Sequence, residues 1–118
     1  MFAKVFSGAI YGVDAYPVEI QVNSGRGDPS MVIVGLPDAA VRESKDRVMT
    51  ALVNSGFKPH IGRTTVNLAP ADIRKEGASY DLTIAIGILA AAGYLKADEL
   101  EQYIIMGELS LDGSLRPI

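Results

Sequence analysis

The chain has 118 residues, 48% of them hydrophobic and 21% charged, with no cysteine and a net charge of −3. That length and balance describe one domain, or a piece of one, able to bury roughly two-thirds of its unfolded surface. They exclude disorder, a disulfide scaffold, thiolate metal sites and a strongly basic nucleic-acid module, and they fit a reducing compartment.

The first residues lack the basic region and long apolar run of a signal peptide. Residues 3 to 11, with Ala3, Val5, Ser7 and Ala9, predict an opening strand. From Tyr16 to Val22 apolar Tyr16, Val18, Ile20 and Val22 alternate with Pro17, Glu19 and Gln21, the pattern of a half-buried strand with Pro17 near an edge or a strand start. A glycine-rich turn over residues 23 to 29 leads to the continuous apolar run Met31 to Leu36, which reads as a central strand. Asp38 then stands where a helix cap belongs. Val41, Val48 and Leu52 recur at near-helical spacing, and Arg42, Glu43, Asp46 and Arg47 fill the wet face. Gly56 suits the left-handed turn that ends the helix.

Thr64 to Leu68 is β-branched and short, a further strand. A helix from about Ser79 to Ala92 is apolar on nearly all sides, so protein should cover it, and Gly93 ends it. Its run Leu82 to Ala92 is too short to span a bilayer, so the reading is a cytoplasmic protein. Tyr103 to Met106 predicts another strand, and Asp112-Gly113 a two-residue hairpin turn between Glu108–Leu111 and Ser114–Leu115. The chain stops at Ile118, just as that return strand begins, and the expectation is a single domain over 1–118 truncated at its C-terminal end.

Charge is unevenly spread. Lys58, Arg63, Arg74 and Lys75 lie close in sequence with His60 nearby and only Asp72 opposing them, whereas residues 97 to 114 carry five acids and no Lys or Arg. The ordinary reading of such runs is a solvated surface; the functional one is sequence-blind contact with a phosphate backbone. Because the cations flank opposite ends of the strand Thr64 to Leu68, they need not form one patch. Ser79 opens a helix, where a serine usually caps. As a nucleophile it would need a base, and neither His60 nor Lys75 is placed by spacing to serve. Asp98, Glu99 and Glu101 lack a calcium-loop glycine, so no metal site is expected. No phosphate loop occurs, and Gly25-Arg26-Gly27 lacks both the third glycine and the following helix.

Three blocks carry a family resemblance: Val32-Ile33-Val34-Gly35-Leu36-Pro37-Asp38-Ala39-Ala40-Val41-Arg42-Glu43-Ser44, Val66-Asn67-Leu68-Ala69-Pro70-Ala71-Asp72-Ile73-Arg74-Lys75-Glu76-Gly77 and Gly107-Glu108-Leu109-Ser110-Leu111-Asp112-Gly113. With the opening Gly8 to Ala15, they resemble the N-terminal domain of the YifB/ComM family of magnesium-chelatase-like AAA+ ATPases along essentially the whole chain. The resemblance implies an α/β (α+β) two-layer sandwich, similar to the proteolytic domain of Lon and to the second domain of a ribosomal small-subunit protein. It aligns Ser79 with Lon's nucleophile, but Tyr80-Asp81 replace two small residues and Lon's lysine would fall beyond Ile118. Ser79 is therefore expected to be a relic that caps the helix, with no catalytic residue in this chain.

What the resemblance implies for the full-length protein is a hexameric ATPase using ATP and magnesium through a module outside this chain. In relatives of the ComM type it acts on DNA in branch migration during natural transformation. Within it, this chain would be a non-catalytic accessory domain that aids assembly with its own ATPase domain and with other subunits, and that guides DNA past Lys58, Arg63, Arg74 and Lys75. Two other readings stay open: a pure oligomerisation module, and a domain of a chelatase-like ATPase with an unknown client.

Overall fold

The structure is a computed structural model that describes residues 2–11, 14–58 and 62–117; His60, with Pro59 and Ile61, lies outside the described residues. Two long strands open the chain, β1 (Phe2–Tyr11) and β2 (Asp14–Gly25), followed by β3 (Ser30–Val34), α1 (Ala39–Asn54), β4 (Arg63–Ala69), α2 (Asp81–Ala91), a short α3 (Ala97–Leu100), and the hairpin strands β5 (Glu108–Leu109) and β6 (Leu115–Arg116). The main sheet runs β1-β2-β4-β3, antiparallel except for β3 beside β4, while β5 and β6 form a small second sheet.

Strand alternation places Val5, Val18, Ile20, Val22, Val66 and Leu68 on one face, all fully or almost fully buried. Against that face lies α2, whose Ile84, Ile88 and Ala91 complete a single core with Val41, Val48 and Leu52 of α1. The uniform apolarity of α2 follows from this position between sheet and neighbouring helix. At Gly87 the helix comes so close that an added Cβ would stand 2.7 Å from a Val22 methyl carbon. The opposite sheet face carries polar groups, with Asn67 donating to Gln21 at 3.0 Å. The result is the two-layer α/β sandwich expected. No described helix is long and apolar enough to cross a membrane.

Asp38 caps α1, its carboxylate accepting from the Val41 N–H at 2.8 Å. The left-handed ends at Gly56 (φ 90°) and Gly93 (φ 89°) also stand as the sequence predicts.

Four local expectations change. β3 is an edge strand, not a central one; its apolar run divides between the helix layer (Met31, Ile33) and the open face (Val32, Val34). The segment Tyr103 to Met106 is no full strand: Ile104 makes one parallel bridge to Phe6, and the Ile105 N–H donates to the Phe6 carbonyl at 2.8 Å. The hairpin turn is wider than two residues. Gly113 N–H bonds to the Ser110 carbonyl at 3.0 Å and Ser110 N–H to the Ser114 carbonyl at 2.9 Å, with Gly113 left-handed, a type I turn plus bulge. Finally, Arg47 is not on the wet face but reaches inward to Asp81.

Candidate functional site

Two of the three blocks that carry the resemblance fold onto each other. β3 ends in a sharp reversal at Gly35 and Leu36, both with positive φ (107° and 56°). A Cβ on Gly35 would sit 2.1 Å from the Leu68 carbonyl oxygen, so backbone lies against backbone there. Asp38 uses both carboxylate oxygens, one on the Val41 N–H and the other on the Gly77 N–H at 3.2 Å. Its own N–H donates to the Lys75 carbonyl at 2.9 Å, and the Lys75 N–H to the Leu36 carbonyl at 2.9 Å.

Lys75 threads this clasp. Its side chain is 0% exposed, and its ammonium donates to the Gly35 carbonyl at 2.8 Å and to the Pro70 carbonyl. Burial pushes its pKa below the ordinary lysine value, with Asp72 opposing weakly through space. The sequence reading of Lys75 as a surface cation is therefore corrected: it is a buried brace between the loop 70–77 and the turn 35–38.

The second centre is the start of α2. Tyr80 occupies the cap position and no side chain caps it, so Ser79 is not the helix cap that the sequence suggested. Main chain closes this end instead. The Gly107 N–H donates to the Ser79 carbonyl at 2.8 Å, and the Leu82 N–H to the Gly107 carbonyl at 2.9 Å. The Thr83 hydroxyl bonds the Ile105 carbonyl. The Leu82 N–H, a donor that an open helix start would offer to a ligand, thus faces residue 107, and the Asp81 N–H donates to the Ala78 carbonyl at 3.2 Å.

Asp81, one position inside the helix, is 0% exposed and accepts four hydrogen bonds: from the Ser44 hydroxyl at 2.5 Å, Arg47 Nε at 2.7 Å, Arg47 Nη2 at 3.0 Å and the Leu109 N–H at 3.1 Å. Arg47 Nη2 also reaches the Ala40 carbonyl at 2.8 Å. The Asp81 contact raises the already high pKa of Arg47. Asp81 therefore ties α1, α2 and β5 together. Sequence reasoning placed it only as one of two residues, with Tyr80, that replace small ones after Ser79. The missed signal was an acid opening an otherwise apolar helix, with an Arg waiting on the helix before it. Among the described residues no lysine amine or histidine ring is hydrogen-bonded to the Ser79 hydroxyl, and Lys75, four residues earlier, is held by carbonyls.

The four predicted cations do not converge. Lys58 and Arg63 are exposed at the start of β4, and Arg74 is exposed beyond its end, 3.7 Å from Glu76. Register places Arg63 opposite Gly25 and Ser30, the two ends of the loop that carries Arg26. Lys58 and Lys45 line one open groove of about 850 Å³ between α1 and β3. Lys45 and Lys58, with Asp46, thus lie on the helix side of the sheet, whereas Arg63 alternates onto the opposite face, beside the loop that carries Arg26 and Asp28. Arg26 and Lys45 escaped the sequence reading because they are distant in the chain. Of the aromatics close in sequence to these cations, Phe57 lines the groove and meets Tyr94 edge-on at 5.2 Å, and Tyr80 is buried.

The residues present do not fit a nucleotide or its magnesium ion. Gly25 to Gly27 joins two strands rather than opening a helix, and the described residues hold no group of three or more His, Cys, Asp or Glu able to bind a metal.

Comparison with known proteins supplies the relatives. Residues 18–118 match the family described as subunit ChlI of Mg-chelatase. The chain is 46% identical over 114 residues to uncharacterized protein YifB of Escherichia coli, covering 97% of this chain and 22% of that one. It is 50% identical over 116 residues to competence protein ComM of Haemophilus influenzae, covering 98% and 23%. An uncharacterized protein of Mycobacterium tuberculosis is 42% identical over 115 residues, covering 98% and 23%. The chain spans less than a quarter of the length of these curated relatives.

Proposed function

Because this chain belongs to the family of subunit ChlI of Mg-chelatase, as a YifB/ComM-type N-terminal domain, we propose that it is a non-catalytic accessory domain of a magnesium-chelatase-like AAA+ ATPase. The full-length protein uses ATP and magnesium in a module outside these residues, assembles as a ring, and acts on DNA in recombination or natural transformation. The observation that carries the holding role is the closed front of α2. The Leu82 N–H and the Thr83 hydroxyl are bonded to the Gly107 and Ile105 carbonyls, the Asp81 N–H to the Ala78 carbonyl, and the Asp81 carboxylate to Ser44, Arg47 and Leu109. A nucleophile there has no amine or imidazole bonded to it among the described residues.

Of the four cations read from sequence, we keep Lys58 and Arg63 for DNA contact and add Arg26 and Lys45; Lys75 is buried and Arg74 lies beside Glu76. Such contact is electrostatic and sequence-blind. The test is DNA binding by the full-length assembly as a function of salt, wild type against Lys58→Glu with Arg63→Glu. Affinity should fall, and the slope of log affinity against log salt should flatten by about one for each phosphate that a cation no longer neutralises. Unaltered affinity and slope in the assembled ring would remove DNA contact from this domain.

A second reading, a pure interaction module, is favoured by the exposed apolar row Tyr103, Ile104 and Met106 beside β1. In that case Ile104→Glu weakens assembly while the charge reversals leave DNA affinity intact.

A further inference from the structure

α1 packs beside β3, the strand at one edge of the main sheet, with an open groove between them. Among the described residues β3 is the last strand and pairs with β4 alone. The Ser30 N–H donates to the Gly62 carbonyl at 3.3 Å. Alternation therefore turns the backbone groups of Ser30, Val32 and Val34 toward β4 and those of Met31 and Ile33 toward the open edge. Ser30–Val34 contains no proline or charged residue to guard that edge. Beside it, Lys45, Met49 and Val53, successive four-residue steps along α1, line the far wall of the 850 Å³ groove whose near wall is Met31. Val53 and Val34 are exposed at 58% and 42%. An open groove beside an unguarded edge strand leaves room for the side chains of one more.

We propose that the β3 edge and this groove receive a further β-strand, an extended segment with apolar side chains at alternate positions, supplied by the same polypeptide outside residues 1–118. Main-chain bonds to Met31 and Ile33 would hold it, and its inward side chains would fill the space between Met31 and Met49. Relatives that this chain matches over only 22–23% of their length carry ample polypeptide for it. A tethered strand also binds at a high effective concentration, which a free partner lacks. A second copy fits less well. Joining two β3 edges antiparallel puts both α1 helices on one face over a shared seam, each in the space the other needs.

The experiment uses the full-length protein. Amide exchange should show the Met31 and Ile33 N–H groups slowed by about 100-fold or more, as the Val32 N–H is, independently of protein concentration. A photoreactive benzoylphenylalanine at Thr50, which lines the groove, should cross-link within one molecule to a peptide outside these residues. Exchange of Met31 and Ile33 at solvent rates beside a protected Val32 overturns the proposal. So does protection that grows with concentration, with cross-links between two copies of residues 1–118, or a cross-link to a different protein. These readouts are independent of ATP turnover and DNA affinity, so the accessory-domain reading can fail while this one stands.

Discussion

Asp81 and Lys75 are both fully buried charged side chains, six residues apart in the chain, and they are held in opposite ways. Asp81 has a counter-charge: two Arg47 nitrogens, a hydroxyl and a backbone N–H satisfy its oxygens. Among the described residues Lys75 has no carboxylate bonded to its ammonium, only two carbonyl oxygens. Burial of an ion is tolerable when pairing offsets desolvation, and where no counter-charge is bonded, desolvation disfavours the charged form. The first residue should therefore behave as a structural pivot between elements, the second as a brace whose protonation the fold opposes.

The sharpest way to break this contrast is Asp81→Ala. Removing the acceptor leaves the Arg47 guanidinium, the Ser44 hydroxyl and the Leu109 N–H without their partner. The expected loss is about 3 to 5 kcal/mol of stability, seen as a large drop in urea midpoint. A loss below about 1 kcal/mol would mean that Arg47 simply turns to solvent and that the pivot is no more than a surface pair. Gly35→Ala probes the surroundings of Lys75 instead. An added methyl meets the Leu68 carbonyl oxygen at 2.1 Å, and the backbone has φ 107°, so strain and overlap together should cost about 3 kcal/mol. It should also loosen the clasp on Lys75, which exchange at the Asp38 and Lys75 amides would report.

A smaller effect isolates the titration itself. The native pKa of Lys75 is lowered by burial, so between that value and the ordinary 10.5 the unfolded chain binds more protons than the folded one. Stability from this group therefore rises with pH through that window and is lost as pH falls through the native value. Denaturation at successive pH values should show wild type gaining on Lys75→Met as the medium becomes alkaline. Tyr80 works the other way: burial raises its pKa above 10.0, so its contribution is complete below that value and declines above it. Because Tyr80 is present in both proteins, their difference still reports Lys75. A flat difference would show that the carbonyls fully compensate the buried ammonium.

How much of this was legible in the sequence depended on how local the cause was. The Asp38 cap and the left-handed turns at Gly56 and Gly93 are decided within a few residues, and they stand as read. The identity of β3 as an edge was not local. An apolar run looks the same whether a strand is flanked twice or once, and only the order β1-β2-β4-β3 decides it. The same limit hid the Asp81–Arg47 pair, which bridges 34 positions. It also hid the fate of Lys75, which reads as one of several loop cations until Gly35 and Pro70 are seen to point at it. The resemblance marked the right blocks, Gly35 to Asp38 and Pro70 to Gly77. Folding explains why they occur together: they are each other's contacts.

The smallest expected effect bears on the chemistry of the whole front of α2. Ser79 is half-buried, supplies a carbonyl to the Gly107 N–H, and caps nothing with its side chain. Ser79→Ala keeps that carbonyl and removes only the hydroxyl. Stability should stay within about 0.5 kcal/mol of wild type. ATP turnover and DNA affinity of the full-length protein should be unchanged, and no serine-directed probe should label this position. The residue that matters here is its neighbour: removing the Asp81 carboxylate should disable the fold, whereas removing the Ser79 hydroxyl should pass unnoticed. If Ser79→Ala instead abolished a measurable peptide turnover, the hydroxyl would need a proton acceptor brought from outside these residues. The closed helix front would then have to open to admit it.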